Sequence, residues 1–175
     1  SLVVQCAPMA DVSGRFSGRV AIVTGGAGGI GSAVARRLVA DGAQVALVDV
    51  AAGPLNKLAA ELGESVLAIE ADVAQEEDSG EYVRQTVERF GRVDLFFNNA
   101  GIEGKIVNIV DLDIADFDRL IGVNVRGVVL GLRGTRRLQL RFESLRDRLQ
   151  LWIGRVDQVV ALARIGLDLV EGVRI

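Results

Sequence analysis

From Arg19 onward, short β-branched apolar runs alternate with longer stretches whose apolar residues recur every three or four positions. The first pattern is that of a strand buried on both faces and the second that of an amphipathic helix. Val20 to Val23 therefore predicts a first strand, followed by a glycine-rich turn and a helix through about Ala40. Gln44 to Val50 predicts a second strand, about Pro54 to Leu62 a helix, Ser65 to Ala71 a third strand, and Glu76 to Phe90 a helix. Val93 to Phe97 predicts a fourth strand. After a loop containing Gly101 and Gly104, Ile114 to about Leu132 predicts another helix, opened by Asp111, Asp113 and Asp116. Negative charge there suits the positive end of a helix. Strands alternating with helices imply βαβ units and a parallel sheet, so the expected fold is α/β. Four strands make half of a Rossmann-type doubly wound sheet.

Beyond Gly134 the pattern changes. Leu138, Phe142, Leu145, Leu149, Trp152, Val156, Val159 and Ala163 follow one another in steps of four and three, which predicts a helical tail with a heptad-like stripe. Gly154, Gly166 and Gly172 weaken that helix, and residues 165–175 read equally as a short strand. Residues 1–17 carry no periodic pattern and read as an N-terminal extension, with Met9 as the expected natural start. The chain thus divides into 1–17, a Rossmann-type half-domain over 18–133, and an atypical tail over 134–175.

Composition narrows the chemistry. With 175 residues, half of them apolar and a quarter charged, the chain can bury a sizeable core. No apolar run reaches the ~18 residues of a membrane span, and the N-terminus lacks the pattern of a secretory signal, so a cytoplasmic protein without membrane partners is expected. The single cysteine, Cys6, provides neither a disulfide framework nor a thiolate set for zinc, and no metal site is expected. With no histidine in the chain, metal hydrolysis and Ser-His catalysis are both disfavoured.

The net charge of −3 is unevenly divided. Residues 1–125 carry 10 Lys+Arg against 18 Asp+Glu, a balance of −8, whereas residues 126–175 carry 10 against 5, a balance of +5. Every positive charge in the second stretch is arginine, and that stretch has no Lys, Pro, Asn or Tyr. Arginine-rich tails can bind nucleic acid. Here the arginines alternate with leucines and valines, which favours a solvated helix face and argues against a nucleic-acid partner.

The turn Thr24-Gly25-Gly26-Ala27-Gly28-Gly29-Ile30-Gly31 is the strongest chemical signal. A strand that turns abruptly into a helix aims backbone N–H groups and the positive helix end at one point, where an anionic pyrophosphate fits. Side chains at Gly25, Gly29 or Gly31 would obstruct the turn, the phosphate approach or the packing of helix on strand. Two registers are open: Gly26, Gly28 and Gly31 satisfy G-x-G-x-x-G, while Thr24-Gly25, Gly29 and Gly31 satisfy T-G-x-x-x-G-x-G. Asp49 stands 18 residues after Gly31, at the end of the second predicted strand. A carboxylate there can accept hydrogen bonds from adenosine ribose hydroxyls and would repel a 2′-phosphate. No arginine or lysine stands at Gly26, Ala27 or Val50 to receive that phosphate, so NAD is expected in preference to NADP.

Three further segments follow in order: Asp72-Val73 after the third strand, Asn98-Asn99-Ala100-Gly101 after the fourth, and Asn124-Val125-Arg126-Gly127 in the next helix. With Thr24–Gly31 and Asp49, they resemble the short-chain dehydrogenase/reductase family over about Gly18 to Arg133. The resemblance favours the T-G-x-x-x-G-x-G register and implies a cofactor site made by Gly25, Gly28, Gly29, Ile30, Gly31, Asp49 and Val50. It implies that Asp72 and Val73 lie by the adenine, and that Asn98, Ala100 and Gly101 line the cleft and brace the sheet. Asn124 matches the family's catalytic asparagine, which kinks its helix and holds a water in a proton relay. The implied reaction is hydride transfer between nicotinamide and a small alcohol or ketone.

The resemblance also implies a serine and a Tyr-x-x-x-Lys pair after Asn124, and these are missing. The only tyrosine is Tyr82, with Thr86 four residues on, and the only lysines are Lys57 and Lys105, all before Asn124. Ser144 is the one serine beyond it and reads as an exposed helix residue. The chain is therefore expected to bind NAD without efficient turnover. The composition changes near Leu132-Arg133-Gly134, where the resemblance ends. A frameshift in GC-rich DNA would produce both changes. The competing reading is a non-catalytic dinucleotide-binding or interaction module that associates with a partner or a second copy through its C-terminal helix, making a homo-oligomer.

Overall fold

A computed structural model describes residues 14–136. The expected N-terminal extension lies almost wholly outside the described residues, and the stripe from Leu138 to Ala163 entirely outside them. The order within the described residues is β1 (Val20–Thr24), α1 (Gly29–Ala40), β2 (Gln44–Asp49), α2 (Ala52–Leu62), β3 (Val66–Glu70), α3 (Glu76–Phe90), β4 (Leu95–Phe97) and α4 (Ile114–Ile121). A π-helical turn, Gly122–Arg126, joins α4 to a last helix, α5, over residues 127–136.

The four strands form one parallel sheet in the order β3-β2-β1-β4. Alternation along the strands distributes the core onto two faces. Ala21 and Val23 of β1 and Val45 and Leu47 of β2 pack with Ala35, Leu55 and Leu58 of α1 and α2. Ile22, Ala46, Val48, Ile69 and Phe96 point the other way, onto Tyr82 and Val83 of α3. This is the expected Rossmann-like α/β arrangement, covered on both faces as a parallel sheet requires.

Three element boundaries differ from the sequence expectation, each for a local reason. β4 begins at Leu95 rather than Val93, because the Asp94 carboxylate accepts a hydrogen bond from Val20 N (3.0 Å) and pairs with Arg19 and Arg92. That ties residue 94 to the start of β1. α2 begins two residues before Pro54, which a helix tolerates in its first turn, where N–H groups lack intrahelical acceptors. The helix expected from Ile114 to Leu132 is interrupted by the π-turn and runs on to at least residue 136.

α5 lies close to its neighbours because glycine occupies one edge of it. A Cβ at Gly127 would fall 2.9 Å from Val73 Cγ2, one at Gly131 would fall 2.6 Å from Phe96 Cζ, and one at Gly134 would fall 3.1 Å from Ser79 O. The opposite side is different in kind. Ile114, Phe117, Ile121, Val125, Val129 and Leu132 are all exposed, a continuous apolar stripe along α4, the π-turn and α5.

Candidate cofactor-binding cleft

In an open parallel sheet, ligands gather beyond the carboxyl ends of the strands, where adjacent strands send their connections in opposite directions. Here that point lies between β1 and β4. A cleft of about 120 Å³ opens there, lined by Gly25, Val48, Asp49, Val50, Ala71, Asp72, Val73, Ala100, Gly101, Ile102 and Val123. Of the residues predicted from sequence, Gly25, Asp49, Val50, Asp72, Val73, Ala100 and Gly101 come together in its wall.

The glycine turn is shaped by contacts that exclude side chains. Gly25 has φ +66, and a Cβ on it would lie 2.9 Å from Asn99 Nδ2. Gly26 N donates to Val48 O (3.1 Å) and Gly28 N to Gly25 O (3.1 Å), which closes the turn. Gly28 is the N-cap of α1 and offers no side chain to cap it, and the first turn of α1 holds no acidic residue. α3 and α4 are otherwise: three carboxylates crowd the first turn of α3, and Asp113 caps Ala115 N of α4. The uncapped end of α1 therefore keeps its N–H groups and positive dipole available for an anion. A Cβ on Gly29 would meet nothing within 4 Å, so the space beside it is open. Ile30 is 68% exposed and Gly31 is buried.

Asp49 spans the entrance between β1 and β2. Its Oδ2 accepts from Ala27 N (3.0 Å) in the glycine turn and its Oδ1 from Ala51 N (3.0 Å) at the head of α2. Each carboxylate oxygen keeps a further lone pair for a ligand hydroxyl. Asp72 turns its carboxylate inward, accepting from Ala74 N (2.9 Å), while its own N–H donates to Asp78 Oδ2 (2.8 Å).

The two asparagines expected at the site act as braces. Asn98 is absent from the cleft wall. Its Nδ2 donates to Val128 O (3.0 Å), tying the end of β4 to α5. Asn124 sits within the π-turn. Its Oδ1 accepts from Ile102 N (2.8 Å) and its Nδ2 donates to Ile102 O (2.9 Å), fixing the loop that follows Gly101. The sequence reading missed the residue that joins these parts. Thr24 Oγ1 accepts from Asn99 N (3.0 Å) and Ala100 N (3.1 Å) and donates to Asn98 Oδ1 (3.4 Å), bridging β1 to the end of β4. The signal was a threonine closing a buried apolar strand.

The tyrosine and lysines present do not supply an acid at the cleft. Tyr82 is wholly buried between sheet and α3, 6.4 Å from the Phe96 ring. Its hydroxyl lies by Ser79 without a well-formed hydrogen bond, and burial raises its pKa. Lys105 is exposed and paired with Asp116, which raises its pKa and holds the ammonium charged. Among the described residues no three His, Cys, Asp or Glu side chains converge as metal ligands, and no helix is long and apolar enough to cross a membrane.

The family model for short chain dehydrogenases matches residues 19–140. Levodione reductase of Leifsonia aquatica is 47% identical over 123 residues, which is 67% of this chain and 46% of the relative. The chain belongs to the short-chain dehydrogenase family. Among solved structures, the crystal structure of levodione reductase matches with TM-score 0.67 and 45% identity over 70% of this chain and 50% of that one. The 3-ketoacyl-(acyl-carrier-protein) reductase of Brucella melitensis complexed with NADH matches with TM-score 0.66 and 40% identity, covering 67% and 49% of the two chains. NAD+-bound xylitol dehydrogenase gives TM-score 0.67 and 36% identity, covering 70% and 48%. The chain spans about half the length of the short-chain dehydrogenases it matches.

Proposed function

We propose that the cleft binds NAD(H), with the pyrophosphate at the uncapped end of α1 and the adenosine ribose on Asp49. The chain is then the cofactor-holding half of an oxidoreductase of small alcohols and ketones. One observation carries the reading: a carboxylate fixed by two backbone amides, one of them in the glycine turn, stands beside a helix N-terminus without a cap or acidic residue, at a cleft walled by Gly25 and Gly101. The relatives support it, since they include reductases and a dehydrogenase, two of them solved with NADH or NAD+ bound. NAD is favoured over NADP because Asp49 would meet a 2′-phosphate charge against charge, and the residues flanking it, Gly26, Ala27 and Val50, are uncharged.

When bound, the nicotinamide ring supplies a hydride donor or acceptor. The residues of this chain would hold and orient the dinucleotide: the α1 turn by backbone N–H groups at the pyrophosphate, Asp49 by its carboxylate at the adenosine ribose, and Ala100 to Ile102 by a wall that Thr24 and Asn124 fix in place. The tyrosine and lysine that would supply and tune the accompanying proton do not follow Asn124 in this chain, and Tyr82 is buried under the sheet. General acid–base catalysis contributes about 10²–10⁴ in rate, so this chain binds the cofactor without efficient turnover.

Titration of the full chain by nicotinamide fluorescence tests both parts. NADH is expected to bind more tightly than NADPH. Asp49→Ala is expected to weaken NADH by about tenfold, the order of one charge-assisted hydrogen bond, and to narrow the gap between the two cofactors. Tighter binding of NADPH by the unaltered chain would overturn the assignment. NADH consumption above background with a panel of ketones would overturn the claim of inactivity.

A further inference from the structure

Two side chains leave the π-turn for opposite walls of the cleft. Asn124 reaches Ile102, on the side of β4. Arg126 reaches the other way: its Nη1 donates to the carbonyl oxygen of Ala74 at 2.6 Å, joining positions 52 residues apart. The next residue, Gly127, lies against Val73, where a Cβ would fall 2.9 Å from Cγ2 and 3.3 Å from the Val73 carbonyl oxygen.

Ala74 belongs to the turn between β3 and α3. Inside that turn Asp72 Oδ1 accepts from Ala74 N (2.9 Å), and Gln75 N donates to Asp72 O (2.9 Å). The carbonyl of Ala74 points out of the turn, and the guanidinium takes it. A charged donor on a neutral carbonyl makes a stronger bond than two neutral groups. Asp72 and Val73, both in the cleft wall, are thus fixed by the turn's own carboxylate and supported from behind by Arg126 and Gly127.

We propose that Arg126 is a positioning residue for the wall on the β2–β3 side of the cleft, and through that wall for the adenosine half of the bound dinucleotide. The inference rests on the NAD(H) reading above, because it is Asp49, at the end of β2, that assigns the adenosine ribose to this side. β3 is the next strand outward from β2, so Asp72 and Val73 meet whatever extends beyond that ribose. Arg126 acts through Ala74 and the Asp72-Val73 turn rather than on any reacting atom.

Isothermal titration of the full chain with NADH and with ADP-ribose, which keeps the adenosine half and lacks nicotinamide, tests this. Arg126→Ala is expected to weaken both ligands by the same factor, about three- to tenfold, the order of one partly exposed hydrogen bond. Arg126→Lys keeps a cationic donor and is expected to restore most of that loss, which a general loosening of the helix would not allow. Equal affinity of Arg126→Ala and the unaltered chain for ADP-ribose would overturn the proposal, as would a loss seen with NADH alone or a failure of Arg126→Lys to recover binding. If the unaltered chain itself binds neither ligand, the NAD(H) reading falls first. If it binds both and Arg126→Ala binds them equally well, only the role of Arg126 falls.

Discussion

Gly31→Val is expected to abolish measurable NADH binding. A Cβ at Gly31 would lie 2.1 Å from the carbonyl oxygen of Gly25, 2.8 Å from its carbonyl carbon and 3.0 Å from Gly26 Cα. All three are backbone atoms, so no rotamer change relieves the overlap. The turn must open or α1 must move off β1, and either displaces the N–H groups that would face the pyrophosphate. Overpacking a tight site costs about 1–3 kcal/mol, and each 1.4 kcal/mol is tenfold in affinity; with three backbone atoms overlapped the upper end applies, a loss of about a hundredfold. Because the variant can also lose its fold, Gly29→Ala is the informative companion. Among the described residues a Cβ there meets no tertiary neighbour within 4 Å, so melting is expected to be unchanged while NADH binding falls, since the added methyl enters the space proposed for the pyrophosphate. Retained affinity in both variants would place the pyrophosphate elsewhere.

Thr24→Val is expected to lower the melting temperature by about 10–20 °C. The substitution keeps the shape of a fully buried side chain and removes only the hydroxyl. Two half-buried backbone N–H groups, those of Asn99 and Ala100, then lose their acceptor. An orphaned buried donor costs about 1–3 kcal/mol, against a total domain stability of about 5–15 kcal/mol. A domain of this size loses several degrees per kcal/mol. Thr24→Ser keeps the hydroxyl and is expected to recover most of the loss. A shift under about 2 °C in thermal unfolding would show that the loop after β4 is held by other means.

Much of this could be read from the chain before any coordinates, and the division follows the range of the interactions. β1, β2 and α3 are set by local pattern: continuous β-branched runs for the strands, and for α3 three acidic residues in the first turn and Gly91 in the left-handed conformation after the last. The glycine turn was legible because its requirement is steric and local. Asp49 was legible because its distance from the turn follows from the length of one helix and one strand. The hidden parts join distant positions. Thr24 serves amides 75 and 76 residues away, Asn124 clamps Ile102 22 residues back, and Arg126 reaches Ala74 across 52. Thr24 stands out in the sequence as the first residue of T-G-x-x-x-G-x-G, but nothing local says which distant amides its hydroxyl serves. Asn98 was expected to line the cleft and brace the sheet; the partner its amide takes, the backbone of α5 at Val128, was not legible.

The π-turn also has a consequence for rotational phase. An α-helix advances about 100° per residue, and a π-turn fits one extra residue into the same rotation, so residues 127–136 are set back by one position. Gly127, Gly131 and Gly134 face Val73, Phe96 and Ser79 only because of that offset. In an uninterrupted helix from Ile114, the same three positions would fall to Arg126, Leu130 and Arg133, where there is no room even for a Cβ to spare. The π-turn that carries Asn124, which holds the cleft loop, is therefore also what brings a smooth edge of the helix against the sheet.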